Sequence, residues 1–283
     1  MQTSKNQNIP VYLKLIQNVK SGFNVLDKNI QQQILDFLKS QQHKNGSFTN
    51  RAGNPDFYYS LFGFWLSLAT GNQHLIEKFK TYVNHQKENH SLGVIEQMIL
   101  VLINVELLKS QKSRSLISLL KIVFVKGRKI ELSYQFFLLT LAVDAQNKHK
   151  TIYYFFARIG LFFYKPYGNL PCSLTAALTF AKQKVGLKFI NEQEKLISYY
   201  KKEGGFRVFN SIFNSDVLST AVALFVLRET QYDLRLIAPD CLGFIQQNYN
   251  SGAFLSGDGD KTRDLEYTFY GLLALGTLIE DGE

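Results

Sequence analysis

One pattern recurs along this chain at a fixed spacing, and a fixed spacing demands stacked copies of one supersecondary unit. Three segments carry it. Residues 34–48 (ILDFLKSQQHKNGSF) lead into 54–71 (NPDFYYSLFGFWLSLATG), 196–206 (LISYYKKEGGF) into 214–227 (NSDVLSTAVALFVL), and 241–254 (CLGFIQQNYNSGAF) into 262–276 (TRDLEYTFYGLLALG). Each has Gly-x-Phe at a turn (Gly46/Phe48, Gly204/Phe206, Gly252/Phe254), then an Asp (Asp56, Asp216, Asp264), then a hydroxyl four positions on (Ser60, Thr220, Thr268). Phe206 and Phe254 are 48 residues apart, and 283 residues hold about six such periods. Weaker copies are expected around SLGVIEQMILVLINVELL, ELSYQFFLLTLAVDA and YGNLPCSLTAALTFAKQ.

Each unit reads as a helical hairpin. After the Asp, Leu61, Phe64, Trp65 and Leu68 fall at i, i+3, i+4 and i+7, as do Leu218, Ala221, Val222 and Phe225, the spacing of one helix face. These second helices are apolar on nearly all sides, which implies burial all round. The first helices carry Lys, Gln and Glu and suit an outer layer. No period-2 alternation marks a sheet. The expected fold is therefore all-α: an α/α toroid of six inner and six outer helices spanning residues 26–283, with residues 1–25 as an N-terminal arm and a cavity at the centre.

The spacing from Gln41 to Gly46 and Phe48, repeated from Gln247 to Gly252 and Phe254, resembles the repeats of the prenyltransferase/squalene-cyclase family, over most of the chain. The resemblance implies an aromatic-lined cavity that handles isoprenoid diphosphates or long isoprenoid hydrocarbons. Two motifs of that family are incomplete here. Lys261-Thr262-Arg263-Asp264-Leu265-Glu266-Tyr267-Thr268 resembles the zinc-site stretch of the protein prenyltransferases, but Glu266 stands where the resemblance requires Cys. None of the five histidines falls at a matching inner-helix position. With the Cys replaced and no His at a matching position the zinc ligand set is incomplete, so a zinc site is not expected. Asp216-Val217-Leu218-Ser219-Thr220-Ala221 resembles the acid motif of the class II terpene cyclases, with Leu218 in the proton donor's place.

Two physical roles compete for the acidic residues. Asp56, Asp216 and Asp264 each begin an inner helix, where a short carboxylate accepts hydrogen bonds from free first-turn N–H groups, and Glu266 is favoured by the helix dipole. Against simple capping stands the density of charge from Asp258 to Glu266. This oxygen-rich set suits Mg²⁺, while Lys261 and Arg263 are suited to a diphosphate. As catalytic candidates Asp264, Glu266, Asp216 and Asp56 are expected to converge on one face. Tyr59, Trp65, Tyr267 and Tyr270 join Lys261 and Arg263 as substrate-binding candidates, their rings able to stabilise cations.

Charge and cysteine use narrow the classes further. A net charge of +9 favours anionic partners, but the cations look scattered over the whole chain and no nucleic-acid-binding motif accompanies them, so nucleic acid is not an expected partner. Cys172 and Cys241 are far apart, which argues against a disulfide framework and fits a reducing cytoplasm. The first 20 residues lack the apolar core and cleavage site of a secretory signal. The most apolar run, Ile152 to Tyr164, is 13 residues with Arg158 inside it, short of the ~20 a spanning helix needs. Its aromatics are expected to be buried in the wall of the fold; the other role open to them is peripheral contact with a membrane.

The leading functional expectation is an isoprenoid-handling protein, terpene-cyclase- or prenyltransferase-like, that binds a prenyl diphosphate or polyprenyl chain. The alternative is a non-catalytic toroid serving as a binding or scaffold protein. Glycan cleavage, which needs a carboxylate pair across a groove, ranks last on a basic chain with 23 acidic residues.

Overall fold

A computed structural model describes residues 9–86, 93–108, 115–122, 132–146, 150–166, 168–202 and 204–279. The chain is all-α, 66% helical, with 13 helices among the described residues. In chain order these are α1 (Val11–Asn24), α2 (Lys28–Ser40), α3 (Phe57–Thr70), α4 (Gln73–Gln86), α5 (Val94–Leu108), α6 (Leu116–Leu120) and α7 (Leu132–Gln146). They continue as α8 (Lys150–Phe163), α9 (Cys172–Lys184), α10 (Ile190–Ile197), α11 (Val217–Glu229), α12 (Ala238–Gln247) and α13 (Leu265–Leu278). The only sheets among the described residues are two hairpins of two-residue strands: β1 (Phe48–Thr49) pairs with β2 (Pro55–Asp56), and β3 (Tyr249–Asn250) with β4 (Ala253–Phe254).

Helices α3, α5, α7, α9, α11 and α13 each pack on the next in that order, and α13 packs back on α3. They are the apolar members of the hairpins. Phe64, Leu66, Leu224, Leu272 and Ala274 are wholly or almost wholly buried, each large side chain contributing about 1.5–3 kcal/mol. The weak copies are helices too, as α5, α7 and α9.

The recurring sequence motif is a hydrogen-bonded bracket at the start of α3, α11 and α13. Asp56, Asp216 and Asp264 are the N-caps, accepting from Tyr59 N–H, Ser219 N–H and Tyr267 N–H at 3.0, 2.7 and 2.8 Å. The hydroxyl four residues on donates to the same Asp's carbonyl, at 2.6 Å from Ser60 and 2.7 Å from Thr220 and Thr268. That hydroxyl also accepts from the motif Phe N–H: Phe48 to Ser60 at 2.9 Å, Phe206 to Thr220 at 2.8 Å and Phe254 to Thr268 at 3.3 Å. One hydroxyl thereby joins the turn to the helix, and the Phe ring drops onto the helix's next turn. A Cβ on Gly63 or Gly271 would lie 2.3 Å from the rings of Phe48 and Phe254, and Ala223 holds the same position in the middle copy.

Residues 11–24 differ from the arm expected of residues 1–25. They form α1, which buries Val11, Tyr12, Ile16, Val19, Gly22 and Phe23 and packs on α13, α3 and α7. Its first turn meets acidic groups in the last turns of three core helices: Val11 N–H donates to Asp144 at 2.7 Å, the Tyr12 hydroxyl to Glu106 at 3.0 Å, and Lys14 Nζ to Glu229 at 2.6 Å. Further along, α1 and α13 touch backbone to backbone. A Cβ on Gly22 would sit 2.1 Å from the Leu272 carbonyl oxygen, and one on Gly276 would sit 1.8 Å from that of Asn18. Such contacts admit only glycine. Gly276→Ala is expected to force the two helices apart at a cost of about 1–3 kcal/mol or more, lowering the melting temperature by ~2–4 °C for each kcal/mol. Thermal unfolding by circular dichroism checks this, and an unchanged melting temperature would mean that α1 is not docked there.

Candidate functional site

The polar site stands where α3, α11 and α13 begin. Three brackets fix three helix starts, so the residues just inside each helix are held in known register. Arg51, in the loop between β1 and β2, reaches across to α13. Its Nε donates to Asp264 Oδ2 at 2.5 Å and its Nη1 to Asp260 Oδ2 at 2.9 Å, with the guanidinium over the Tyr267 ring at 5.2 Å from the centroid. The Tyr58 hydroxyl donates to Glu266 Oε1 at 2.6 Å, and the Tyr267 hydroxyl to Asp216 Oδ1 at 3.3 Å. Tyr59 belongs to the same cluster: burial raises its pKa, and the fields of Asp264 and Glu266 add to the rise.

Burial governs the acids here. It pushes Asp216 above the usual carboxylate range, against the bonds from Ser219 and Tyr267 that favour the charged form. It raises Asp264 as well, with Tyr267 N–H and Arg51 pulling the other way. Glu266 is raised by burial first, the Tyr58 hydroxyl opposing and the Asp264 charge adding. Asp258 and Asp260 behave in the opposite sense, lowered mainly by side-chain hydrogen bonds from Ser256 and Thr262 respectively.

Beneath the cluster lies an apolar cavity of about 280 Å³ lined by α1 and by all of α3, α5, α7, α9, α11 and α13. Its polar lining residues are few: Tyr58, Ser173 and Tyr270 besides the indole of Trp65. Aromatic rings from the neighbouring helices α3 and α13 meet there, Trp65 and Phe62 on Phe269 at 5.5 and 5.4 Å between centroids. Tyr58 joins the two regions, since it lines the cavity and holds Glu266.

The sequence expectations divide accordingly. Asp264, Glu266, Asp216, Tyr59 and Tyr267 come together, while Trp65 and Tyr270 line the cavity. Asp56 does not join them; its carboxylate caps α3 and its field acts on Tyr82. Lys261 and Arg263 are exposed, and Arg263 turns away, donating to the Ser251 carbonyl at 2.9 Å and covering the Phe37 ring. Among the described residues no group of three or more His, Cys, Asp or Glu side chains is placed to hold a metal ion. The cation expected between the carboxylates is the Arg51 guanidinium. Sequence reasoning passed over Arg51 because it sits in the loop whose length varies between copies, eight residues from Phe48 to Asp56 against ten in the others.

Comparison with family models, with curated proteins and with solved structures returns no match to this chain.

The raised acids set a pH dependence. A carboxyl whose pKa is higher folded than unfolded leaves the folded state holding more protons through the interval between the two values, so stability falls as pH rises through it. Asp216→Asn keeps a capping oxygen for Ser219 N–H and turns an amide N–H toward the Tyr267 hydroxyl oxygen, which then accepts, while removing the titration. From about pH 4, the ordinary Asp value, to about pH 7, the variant is expected to lose less stability than the parent chain. Denaturant midpoints across that range check this; parallel curves would show that Asp216 does not titrate above its ordinary range.

Proposed function

We propose that the closed series α3, α5, α7, α9, α11, α13 is the inner layer of an α/α toroid, with the hairpin partners outside it, and that its cavity binds an apolar isoprenoid chain. The observation that carries this is the cavity itself: every inner helix contributes to it, its lining is aliphatic and aromatic, and one of its few hydroxyls, that of Tyr58, bonds the buried Glu266. Rigid apolar lining with sparse polar groups is the make-up of a small-molecule site. The volume stands near the lower end of such sites, roughly 300–1,000 Å³, which favours a short prenyl chain over a triterpene-sized one.

Charge argues for the hydrocarbon limb over a diphosphate. The polar end holds Asp216, Asp258, Asp264 and Glu266 with Arg51 already paired to Asp264 and Asp260, and like charges disfavour an added anion. Glu266 is the acid best placed for any proton transfer to a bound chain, because burial keeps its protonated form accessible and Tyr58 connects it to the cavity. A second reading is favoured by Leu218, which lines the cavity where the resemblance implies an acid: a toroid that binds an isoprenoid without transforming it.

Trp65 is the chain's single tryptophan and lines the cavity, so its emission reports on an occupant. Titration with farnesol is expected to shift Trp65 fluorescence and to stabilise the fold by about 2.7 kcal/mol at a hundredfold excess over Kd. Farnesyl diphosphate is expected to do so more weakly. Ala177→Phe, which fills the cavity, is expected to abolish both effects. If no prenyl compound moves the emission or the melting temperature, the isoprenoid reading fails; product formation lost in Glu266→Gln with binding retained would separate the catalytic form from the binding form.

A further inference from the structure

The aromatics of the run from residue 152 to 164 were expected in the wall of the fold, and four of the seven are exposed instead. One face of α8 buries Tyr153, Ala157 and Leu161 against α7 and α9, with the Tyr153 hydroxyl and Thr140 Oγ1 2.8 Å apart. The opposite face presents Ile152, Phe155, Phe156, Ile159, Phe162 and Phe163, each between 46 and 74% exposed. Their spacing of three and four residues makes one continuous stripe along the helix. Single exposed apolar residues are ordinary on a protein surface, but a contiguous patch with four phenylalanines marks a place of attachment.

Charge says what attaches. The even scatter of cations expected from the chain as a whole does not hold segment by segment. Residues 109–165 carry 11 Lys and Arg against two Asp and Glu, and the remaining 226 residues carry 21 of each. All of the net charge of +9 therefore resides in the stretch that contains α8. Among its described members Lys121, Arg158 and Lys165 are exposed, Arg158 on α8 itself and Lys165 two residues past its end.

We infer that α8 is an interfacial membrane anchor: the chain lies on an anionic bilayer with the Ile152–Phe163 stripe sunk into the headgroup boundary and Arg158 and Lys165 against lipid phosphates and carboxylates. An amphipathic helix of this kind inserts its apolar face ~5–10 Å and lies in the plane of the surface. At 14 residues α8 suits that pose, and no described helix is long and apolar enough to cross a membrane. Each cation held near an anionic surface adds about 1 kcal/mol of attraction. A second copy of the chain is the poorer occupant, because pairing two α8 faces would bring the exposed Arg158 and Lys165 of each copy together, and like charges across an interface are unfavourable. The surface stands whether or not the cavity holds an isoprenoid.

The test is sedimentation of the full chain with vesicles of phosphatidylcholine alone and of phosphatidylcholine with about 30% phosphatidylserine, at low and high salt. Strong co-sedimentation with the anionic vesicles is expected, weaker with the neutral ones, and falling as salt screens the charges. Phe155→Ser, Phe156→Ser, Phe162→Ser and Phe163→Ser combined should lower the partition coefficient by more than about 100-fold, given the transfer free energy of four phenylalanines. Arg158→Glu with Lys165→Glu should lower it by at least about tenfold on anionic vesicles and leave the neutral-vesicle value unchanged. Both variants alter exposed residues, so their circular dichroism melts should match the parent. A parent chain that stays in the supernatant with anionic vesicles at low salt overturns the proposal, as does a serine variant that binds like the parent. Dimerisation of the parent in sedimentation velocity, abolished in the serine variant without any vesicle binding, would assign the face to a second copy instead.

Discussion

Much of this structure depends on a buried hydroxyl with two partners. In three hairpins the Ser or Thr four residues past the capping Asp accepts the N–H of the motif Phe and donates to the Asp carbonyl. Each of these hydroxyls is almost wholly buried, where an unpaired N–H costs about 1–3 kcal/mol, so the turn cannot slide along the helix without losing the bond. The register of the first helical turn follows. Once Asp264 and Asp216 are caps, Glu266 and Tyr267 must fall in the first turn of α13 and Leu218 in that of α11, which brings acids and aromatics to one end of the cavity without any residue having been placed there singly.

This explains which parts of the molecule were legible. The motif residues were visible because the bracket tolerates few alternatives: a Phe for the ring, an Asp for the cap, a hydroxyl for the double bond, and glycine or alanine beneath the ring. The all-helical class followed from the apolar periodicity after each Asp. Arg51 was not visible, since a cation in a loop of variable length has no spacing to betray it, yet it is the residue that pairs with both Asp264 and Asp260. Lys261 and Arg263 looked attractive because they sit beside Asp264 in sequence, but both are exposed, and Arg263 turns to the Ser251 carbonyl. Helix α8 misled for another reason: an aromatic-rich helix reads as buried on composition, and only the three-dimensional packing shows that one stripe has no protein partner among the described residues.

The site is also a study in how buried acid is tolerated. Asp264 is 2% exposed, and a bare carboxylate there would be expelled or protonated. Two donors hold it in check, its own helix through Tyr267 N–H and Arg51 from another hairpin, with the helix dipole behind them. Asp216 has a backbone N–H and a tyrosine hydroxyl but no cation paired to it among the described residues, and Glu266 has the Tyr58 hydroxyl. The three acids therefore differ in kind. Asp264 is tied by charge to a neighbouring repeat, whereas Asp216 and Glu266 accept from neutral donors.

The opposite ends of the same helices pose the reverse problem, and α1 is its solution. Glu106, Asp144 and Glu229 stand in the last turns of α5, α7 and α11, where the helix dipole is negative and an acid is unfavourable. Left to themselves these ends would repel. The first turn of α1 supplies a positive helix end through Val11 N–H, a phenol through Tyr12 and a full charge through Lys14, one to each acid. Asp144 takes a further cation from Lys150 at 3.0 Å. Because Val11 and Leu15 also line the cavity, the helix that neutralises these acids is the one that covers the cavity's second end. Closing the apolar chamber and balancing the charge at its base are thus a single packing event, and the glycine contacts of Gly22 and Gly276 fix how closely α1 can approach to perform it.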